Sequence, residues 1–290
     1  MMAQTLSVAS IADHKDKVTY RLMREYGQLF VDEWRPRKPS GAPPVLLIHG
    51  WGGTGTYWKQ TARALSETVR VIVPDLPGTG RSQPTKPARD MYDQVDTLID
   101  LLDYFDLDRV QVVGHSMGGA MTVLLADQCA NRIDRIVLAS LTFFKTEQQK
   151  AVYRKVMSGF RIALRMRAGW MASIPGGTHM MAQHYFHRVP KGNPLLKRGL
   201  LDFLELDAAT ATRCADDAAD DTIPQAGARL HMPVMLIAPR QDAMMPMENV
   251  DFTADVIPNC EVRWIEECGH IPMIEKTDEF LSILSGFLHL

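Results

Sequence analysis

The sequence lacks the features that mark several large classes of protein. No stretch approaches the roughly 18 consecutive apolar residues that a membrane-spanning helix needs. The net charge is only −2 at pH 7, which gives no indication that the whole molecule binds nucleic acid. The first residues, MMAQTLSVASIADHKD, contain no basic start and no long apolar core, so we expect no secretory signal peptide.

Cysteine is scarce as well, with four in 290 residues. They are Cys129, Cys214, Cys260 and Cys268, and no two of them form a C-x-x-C pair. This pattern excludes a dense disulfide framework. We therefore predict reduced, mostly structural thiols in a cytoplasmic protein.

Two groups of side chains raise the question of a metal site. They are His179, His184 and His187, and Asp216, Asp217, Asp220 and Asp221. The three histidines do not share one helix face, and no carboxylate or cysteine joins them. The aspartates lack the spacing of an EF-hand calcium loop, so a solvated surface is expected there. The sequence predicts no metal ion.

Short apolar runs alternate with helical patterns along most of the chain. A hairpin is predicted about Tyr26-Gly27. The apolar runs predict strands at 45–48, 69–75, 109–113, 131–139, 232–242 and 262–265. Helical spacing occurs at 56–65, 91–105, 118–129, 247–256 and from residue 277 onward. Continuous apolar runs are typical of strands buried on both faces, so the alternation predicts an α/β fold with a mainly parallel central sheet flanked by helices.

This alternation stops between residues 141 and 221. No apolar run in that region predicts a buried strand, and the helical patterns are broken by SIPGG and VPKGNP. We predict a helical insertion over one end of the sheet. The expected organisation is a first part of the core at 1–141, a helical cap at 142–222 and a second part of the core at 223–290.

The segment VQVVGHSMGGAM at 110–121 contains the pattern G-x-S-x-G at the predicted junction of a strand and a helix. The chain must turn sharply there to raise the hydroxyl of Ser116 above the sheet. Side chains in place of Gly114 and Gly118 would collide across that turn. The start of the next helix directs backbone N–H groups toward the serine, which favours negative charge. The segment therefore predicts a nucleophilic serine.

A serine hydroxyl is a poor nucleophile without a base. His270 lies just beyond a predicted strand, in a loop with Gly269 and Pro272, and Asp242 follows the strand that contains VMLIA. In a parallel sheet, active sites form at the carboxyl ends of the strands. We predict that His270 takes the proton of Ser116 and returns it to the leaving group, while Asp242 fixes the tautomer of the imidazole.

Together these motifs resemble those of the α/β-hydrolase superfamily, specifically its capped, serine esterase-like branch. The resemblance rests on HGWGG at 49–53, DLPGTGRS at 75–82, GHSMGG at 114–119, Asp242 and the Gly269-His270 pair. It implies that the backbone N–H groups of Trp51 and Met117 form an oxyanion hole, with His49 packing or hydrogen-bonding beneath the site. Haloalkane dehalogenases and epoxide hydrolases of this fold carry aspartate at the position of Ser116, so those activities are not expected.

The resemblance and the predicted triad imply a serine hydrolase that cleaves carboxylic esters of short to medium acyl chain through an acyl-enzyme intermediate. Such an enzyme needs no cofactor, and its expected partner is a small-molecule ester. Thioesterase, lactonase, C–C hydrolase, acyltransferase and perhydrolase activities use the same triad and stay open. A hydrolase-like protein that only binds a small molecule is the alternative from a different class. The oligomeric state also stays open.

The predicted insertion carries its charge unevenly. Residues 141–200 hold eleven lysines or arginines and one acid, whereas residues 201–222 are acidic. A stripe of apolar residues recurs there at helical spacing, namely Val152, Val156, Phe160 and Ala163. We predict that this stripe is buried over the site and that the basic residues face solvent and pair partly with the acidic segment. Alternatively, the basic face attracts anionic substrates or makes weak contact with an anionic lipid surface.

Methionines are frequent in the same insertion. They are Met157, Met166, Met171, Met180 and Met181. Flexible, polarizable side chains of this kind adapt to varied apolar groups. We therefore expect them to contribute to a moderately hydrophobic acyl pocket.

Overall fold

The computed structural model describes residues 16–167 and 176–290, and these residues contain one eight-stranded sheet. Its strands are β1 Lys17–Arg24, β2 Gly27–Trp34, β3 Val45–Ile48, β4 Val71–Asp75, β5 Val110–His115, β6 Ile133–Ala139, β7 Val234–Pro239 and β8 Cys260–Ile265. They lie side by side in the order β1-β2-β4-β3-β5-β6-β7-β8.

Strand direction divides the sheet into two parts. β1 and β2 form an antiparallel hairpin, and β2 pairs antiparallel with β4. In the rest of the sheet, β4-β3-β5-β6-β7-β8, every neighbouring pair of strands is parallel. The predicted α/β fold with a mainly parallel sheet is confirmed. The apolar runs explain it, because every residue of β3, β4, β5 and β7 is buried.

Helices cover both faces of this sheet. In chain order the described helices are α1 Lys59–Leu65, α2 Met91–Tyr104, α3 Met117–Gln128, α4 Glu147–Met166, α5 Gly177–Ala182, α6 Pro194–Glu205, α7 Ala208–Asp217, α8 Thr222–Gly227, α9 Val250–Val256, α10 Pro272–Glu275 and α11 Thr277–Leu288. Val112 of β5 belongs to the core layer with α2 and α3, whereas Val113 belongs to the layer with Trp58 and α11. Successive side chains of β5 thus enter opposite layers.

Several local features differ from the sequence prediction. β5 continues through Gly114 to His115, beyond the predicted end at residue 113, so Ser116 follows the strand directly. The predicted helix at 56–65 divides into a 3₁₀ turn at Gly55–Trp58 and α1. The sequence pattern does not predict the four-residue α10, which begins with proline, a residue suited to the first helical position.

Between β6 and β7, the described residues form the helices α4 to α8 and no strand. The predicted buried stripe of α4 is wrong for its two valines, whereas Phe160 packs against the core and against Trp51, and the side chain of Ala163 lies outside the described residues. Val152 and Val156 are 58% and 52% exposed, whereas Met157 and Leu164 are buried. Tyr153, Met157 and Leu164 recur at helical spacing. They form a second stripe beside the predicted one, and this second stripe packs against the core.

Ion pairs join the basic and acidic parts of this segment, as the sequence predicts. They connect Lys150 to Asp221, Arg161 to Asp216, and Arg198 to both Asp202 and Glu205. Of the methionines, Met157 is buried while Met166 and Met180 are exposed, and Met171 lies outside the described residues. None of the helices in the described ranges is long and apolar enough to cross a bilayer.

Candidate active site

Ser116 occupies the turn between β5 and α3. Its backbone has a φ of 53°, in the left-handed region that strains a residue with a side chain. A Cβ atom on Gly118 would lie 2.5 Å from the carbonyl oxygen of His49, and one on Gly114 would overlap the side chain of Thr122. The two glycines are therefore required because α3 approaches the sheet so closely.

The three residues predicted for catalysis lie in hydrogen-bond contact. His270 Nε2 is 3.0 Å from Ser116 Oγ, and His270 Nδ1 is 2.7 Å from Asp242 Oδ2. The other carboxylate oxygen of Asp242 accepts the backbone N–H groups of Met244 and Met245. Because a carboxylate only accepts, His270 donates from Nδ1, and its Nε2 is left to accept the proton of Ser116.

The sheet topology explains why residues so distant in the chain meet. β5, β7 and β8 run parallel, so their carboxyl ends lie at the same edge of the sheet. Ser116 follows β5, Asp242 follows β7 and His270 follows β8. The side chains of His270 and Asp242 are only 6% and 0% exposed, and withdrawal from water strengthens the hydrogen bond between them.

The predicted oxyanion donors, Trp51 and Met117, belong to the two segments that flank Ser116. Met117 is the first residue of α3, where a backbone N–H has no carbonyl partner within the helix. On the other side, a Cβ atom on Gly50 would lie 3.1 Å from that of Ser116. The next peptide unit, which carries the N–H of Trp51, therefore begins beside the serine.

His49 holds that peptide unit from below. The N–H of Leu76 donates to His49 Nε2 at 3.0 Å, so the ring carries its proton on Nδ1 and donates to the Gly50 carbonyl at 2.9 Å. Burial lowers the pKa of His49, which keeps the ring neutral. The C=O and N–H of one trans peptide point in opposite directions, so the contact to the Gly50 carbonyl fixes the direction of the Trp51 N–H.

The segment between β6 and β7 contacts both loops of the site. The backbone N–H of His270 donates to the carbonyl of Tyr185 at 2.7 Å. The indole Nε1 of Trp51 donates to the carbonyl of Ala211 at 2.8 Å. These contacts anchor the loops of His270 and Trp51 to the inserted helices.

A cavity of about 100 Å³ opens beside Ser116. Many of the side chains that line it are apolar, among them Met181, Phe186, Leu195, Phe203 and Ile271. Arg198 and Asp202 also line the cavity, but they form an ion pair with each other. The space beside the serine therefore suits a small, largely apolar group.

Sequence reasoning missed three residues that support the site, namely Tyr57 and His115, which also line the cavity, and Ser140. Ser140 Oγ donates to the backbone carbonyl of His270 at 2.9 Å, and His115 Nε2 lies 2.8 Å from the same oxygen. His115 stands inside the G-x-S-x-G motif, so its position beside the serine was a usable signal. Nothing in the sequence marks Tyr57 or Ser140.

The described ranges 16–167 and 176–290 contain no group of three or more histidine, cysteine, aspartate or glutamate side chains arranged to hold a metal ion. His179 and His184 are exposed, as is His187. The aspartates of the cluster, Asp216, Asp217, Asp220 and Asp221, contact groups of the protein itself. Asp216 pairs with Arg161.

Comparison with known proteins identifies relatives of this chain. A family model described as the alpha/beta hydrolase fold matches residues 43–277. A 2-hydroxymuconate semialdehyde hydrolase from Pseudomonas sp. is 27% identical over 274 residues, which cover 86% of this chain and 88% of the relative. A pimeloyl-(acyl-carrier protein) methyl ester esterase from Aliivibrio fischeri is 24% identical over 259 residues, which cover 84% and 93%.

A solved structure of a hydrolase from Pseudomonas aeruginosa PA01 is similar to this chain with a TM-score of 0.78. The match covers 97% of this chain and 100% of the other, at 19% sequence identity. At that identity the likeness extends to the fold alone.

Proposed function

This chain belongs to the α/β-hydrolase family, and from that premise we propose that it is a serine hydrolase of carboxylic esters. The observation that carries the proposal is the continuous hydrogen-bonded series Ser116, His270 and Asp242, which opens onto a cavity. A nucleophile, a base and a residue that orients the base are the three parts that acyl transfer to serine requires.

In the proposed acylation step, Ser116 Oγ attacks the ester carbonyl carbon while His270 Nε2 takes the hydroxyl proton. The tetrahedral intermediate bears a negative oxygen that the N–H groups of Trp51 and Met117 stabilise. The bond to the alkoxy group then breaks, and His270 gives its proton to the departing oxygen, so that an alcohol leaves.

Water completes the proposed cycle. His270 takes a proton from a water molecule whose oxygen attacks the acyl carbon of the Ser116 ester. Collapse of the second tetrahedral intermediate returns the proton to Ser116 Oγ and releases the carboxylic acid. Asp242 keeps the same imidazole tautomer through both halves of the reaction.

The size of the cavity supports esters of short acyl chain as substrates. About 100 Å³ lies below the 300–1,000 Å³ of most drug-sized ligand pockets. The apolar side chains around it favour an uncharged acyl group. The relative named as a methyl ester esterase points to the same type of bond.

We propose that the described part of the segment 142–222 acts as a cap over this site. Tyr185, between α5 and α6, accepts the backbone N–H of His270, and Asp202 of α6 accepts the hydroxyl of Thr54 at 2.9 Å. Met181, Phe186 and Phe203 line the cavity from the same segment. A segment that contacts the base and the pocket wall together is well placed to select the acyl group.

A panel of substrates tests the proposal. We expect kcat/KM for p-nitrophenyl acetate and butyrate to exceed that for longer esters, thioesters and lactones, with no turnover by Ser116→Ala. Faster turnover of a thioester or lactone would move the activity to one of the other reactions of this triad. Labelling by a fluorophosphonate without multiple turnovers of any substrate would favour a binding protein.

A further inference from the structure

A partly buried hydrogen-bond chain connects the two loops of the site. The N–H of Gly50 donates to the hydroxyl of Tyr57, which lies 2.9 Å from His115 Nδ1. On the opposite side of the ring, His115 Nε2 lies 2.8 Å from the backbone carbonyl of His270. The chain begins one residue before Trp51 and ends on the backbone of the proposed base.

The two ends of this chain determine where its protons lie. The carbonyl of His270 can only accept, so His115 carries its proton on Nε2. Nδ1 of the neutral ring is then an acceptor, and the hydroxyl of Tyr57 donates to it. The oxygen of Tyr57 accepts from the N–H of Gly50, so every donor in the chain has an acceptor.

A second proton on His115 would break this arrangement. Nδ1 would become a donor aimed at the oxygen of Tyr57, whose own hydroxyl proton would lose its acceptor in the chain. Burial and the neighbouring His270 hold the pKa of His115 well below its usual value, and burial raises the pKa of Tyr57. Both groups therefore stay neutral around pH 7.

We infer that Tyr57 and His115 are positioning residues for the reaction proposed above. They set the separation between the loop that carries the N–H of Trp51 and the backbone of His270. The oxyanion donor and the base must act on one tetrahedral centre, and a misplacement of about 1 Å can cost 10²-fold in rate. Both residues line the cavity, but the hydrogen-bond chain occupies their polar atoms, so they exchange no proton with substrate and act through Gly50 and His270.

Removing the hydroxyl of Tyr57 tests this role. In Tyr57→Phe we expect kcat for p-nitrophenyl butyrate to fall about ten- to a hundredfold while KM stays within about twofold. Affinity for a trifluoromethyl ketone, which forms a tetrahedral adduct with serine, should fall by the same factor as kcat because it uses the same donors. A change in KM alone would overturn the inference.

Tyr153→Phe is the matched control. It removes a tyrosine hydroxyl that donates to the backbone carbonyl of Ala215 at 3.0 Å, and Tyr153, unlike Tyr57, does not line the cavity. We expect its kcat to stay within about twofold of the wild type. Equal losses in Tyr57→Phe and Tyr153→Phe would show a general effect of lost hydroxyls and would overturn the positioning role.

The tautomer of His115 tests the chain without any turnover. In wild-type protein with ¹⁵N-labelled histidine rings, the signals lost in His115→Gln belong to His115. They should show a proton on Nε2 and none on Nδ1 from about pH 6 to pH 8. A proton on Nδ1, or a charged ring near pH 7, would overturn the inference.

These results separate the inference from the proposed function on which it rests. Turnover by the wild type that Ser116→Ala abolishes supports the function. In that case, an unaffected Tyr57→Phe or the wrong tautomer overturns the positioning role alone. If the wild type cleaves no ester, the function and the positioning role both fail, while the tautomer still reports whether the chain exists.

Discussion

The strand-end loops and helix α4 differ in how well their sequences predict the structure. After β5, β7 and β8, the chain brings Ser116, Asp242 and His270 into hydrogen-bond contact. In α4, Val156 of the predicted buried stripe is 52% exposed, whereas its neighbour Met157 is 8% exposed. The same kind of apolar pattern thus predicts the strands well and the orientation of the helix poorly.

The difference follows from how much of each element is buried. A strand inside a parallel sheet buries both faces, so a continuous apolar run fits there without a choice of which face to bury. The parallel sheet then brings the carboxyl ends of its strands together at one edge. A surface helix buries one stripe, and stripes one residue apart differ by about 100°. In α4, Tyr153, Met157 and Leu164 have larger side chains than Val152 and Val156 of the predicted stripe, so burying them removes more apolar area from water.

The largest expected effect is at the strand ends. Ser116→Ala should lower kcat by up to about 10⁶, and His270→Ala should do the same, because nucleophile and base act as one unit. Steady-state kinetics with p-nitrophenyl butyrate, alongside thermal unfolding to confirm that both variants fold, measures this. Appreciable turnover by folded Ser116→Ala would place the nucleophile elsewhere and remove the contrast between the two regions.

Asp242→Asn should have the next largest effect. It keeps the shape of the side chain but favours the wrong tautomer of His270, which costs about 10⁴ in kcat. The same assay measures it. The segment SLTFF after β6 offers no carboxylate as a substitute, so near-wild-type activity would require an acid from another part of the chain.

Paired substitutions in α4 test which of its two stripes is buried. Met157→Ala should lower the free energy of unfolding by about 2 kcal/mol, because it removes buried apolar contacts. Val156→Ala, at the exposed neighbour, should change it by no more than about 0.5 kcal/mol. Urea unfolding measures both. A larger loss for Val156→Ala than for Met157→Ala would show that the stripe predicted from the sequence is the buried one.

The last expected effect is a dependence of stability on pH, which no single position dominates. Burial lowers the pKa of His49 and His115 in the folded protein. Below about pH 6.5, the unfolded chain therefore binds protons that the native state does not, and each group lowers the free energy of unfolding by up to about 1.4 kcal/mol per pH unit. Above that pH the contribution is fully present.

Urea unfolding measures the dependence of the free energy of unfolding on pH between about pH 5 and pH 7.5. This pH range lies above the usual titration range of carboxylates. His115→Gln should make the slope shallower by up to one proton, because its buried ring binds no proton in the native state. Identical slopes in the wild type and His115→Gln would mean that His115 titrates normally in the folded protein.

The sequence predicts the sheet and the residues that meet at its edge, because both follow from short apolar runs and the residues that end them. It does not predict the support beneath the site. The contacts of Tyr57, His115 and Ser140 depend on which loops pack together in three dimensions, and a hydroxyl or imidazole in the chain has no periodic signal. The orientation of α4 depends on the relative size of two competing stripes.

The residue that a fluorophosphonate probe modifies is a direct test of whether Ser116 is the nucleophile. Peptide mapping by mass spectrometry should find one adduct, on Ser116, in the wild type. Labelling should be lost in Ser116→Ala and be much slower in His270→Ala, because the serine then lacks its base. An adduct on another serine such as Ser140, or labelling of Ser116 that is equally fast without His270, would contradict the account.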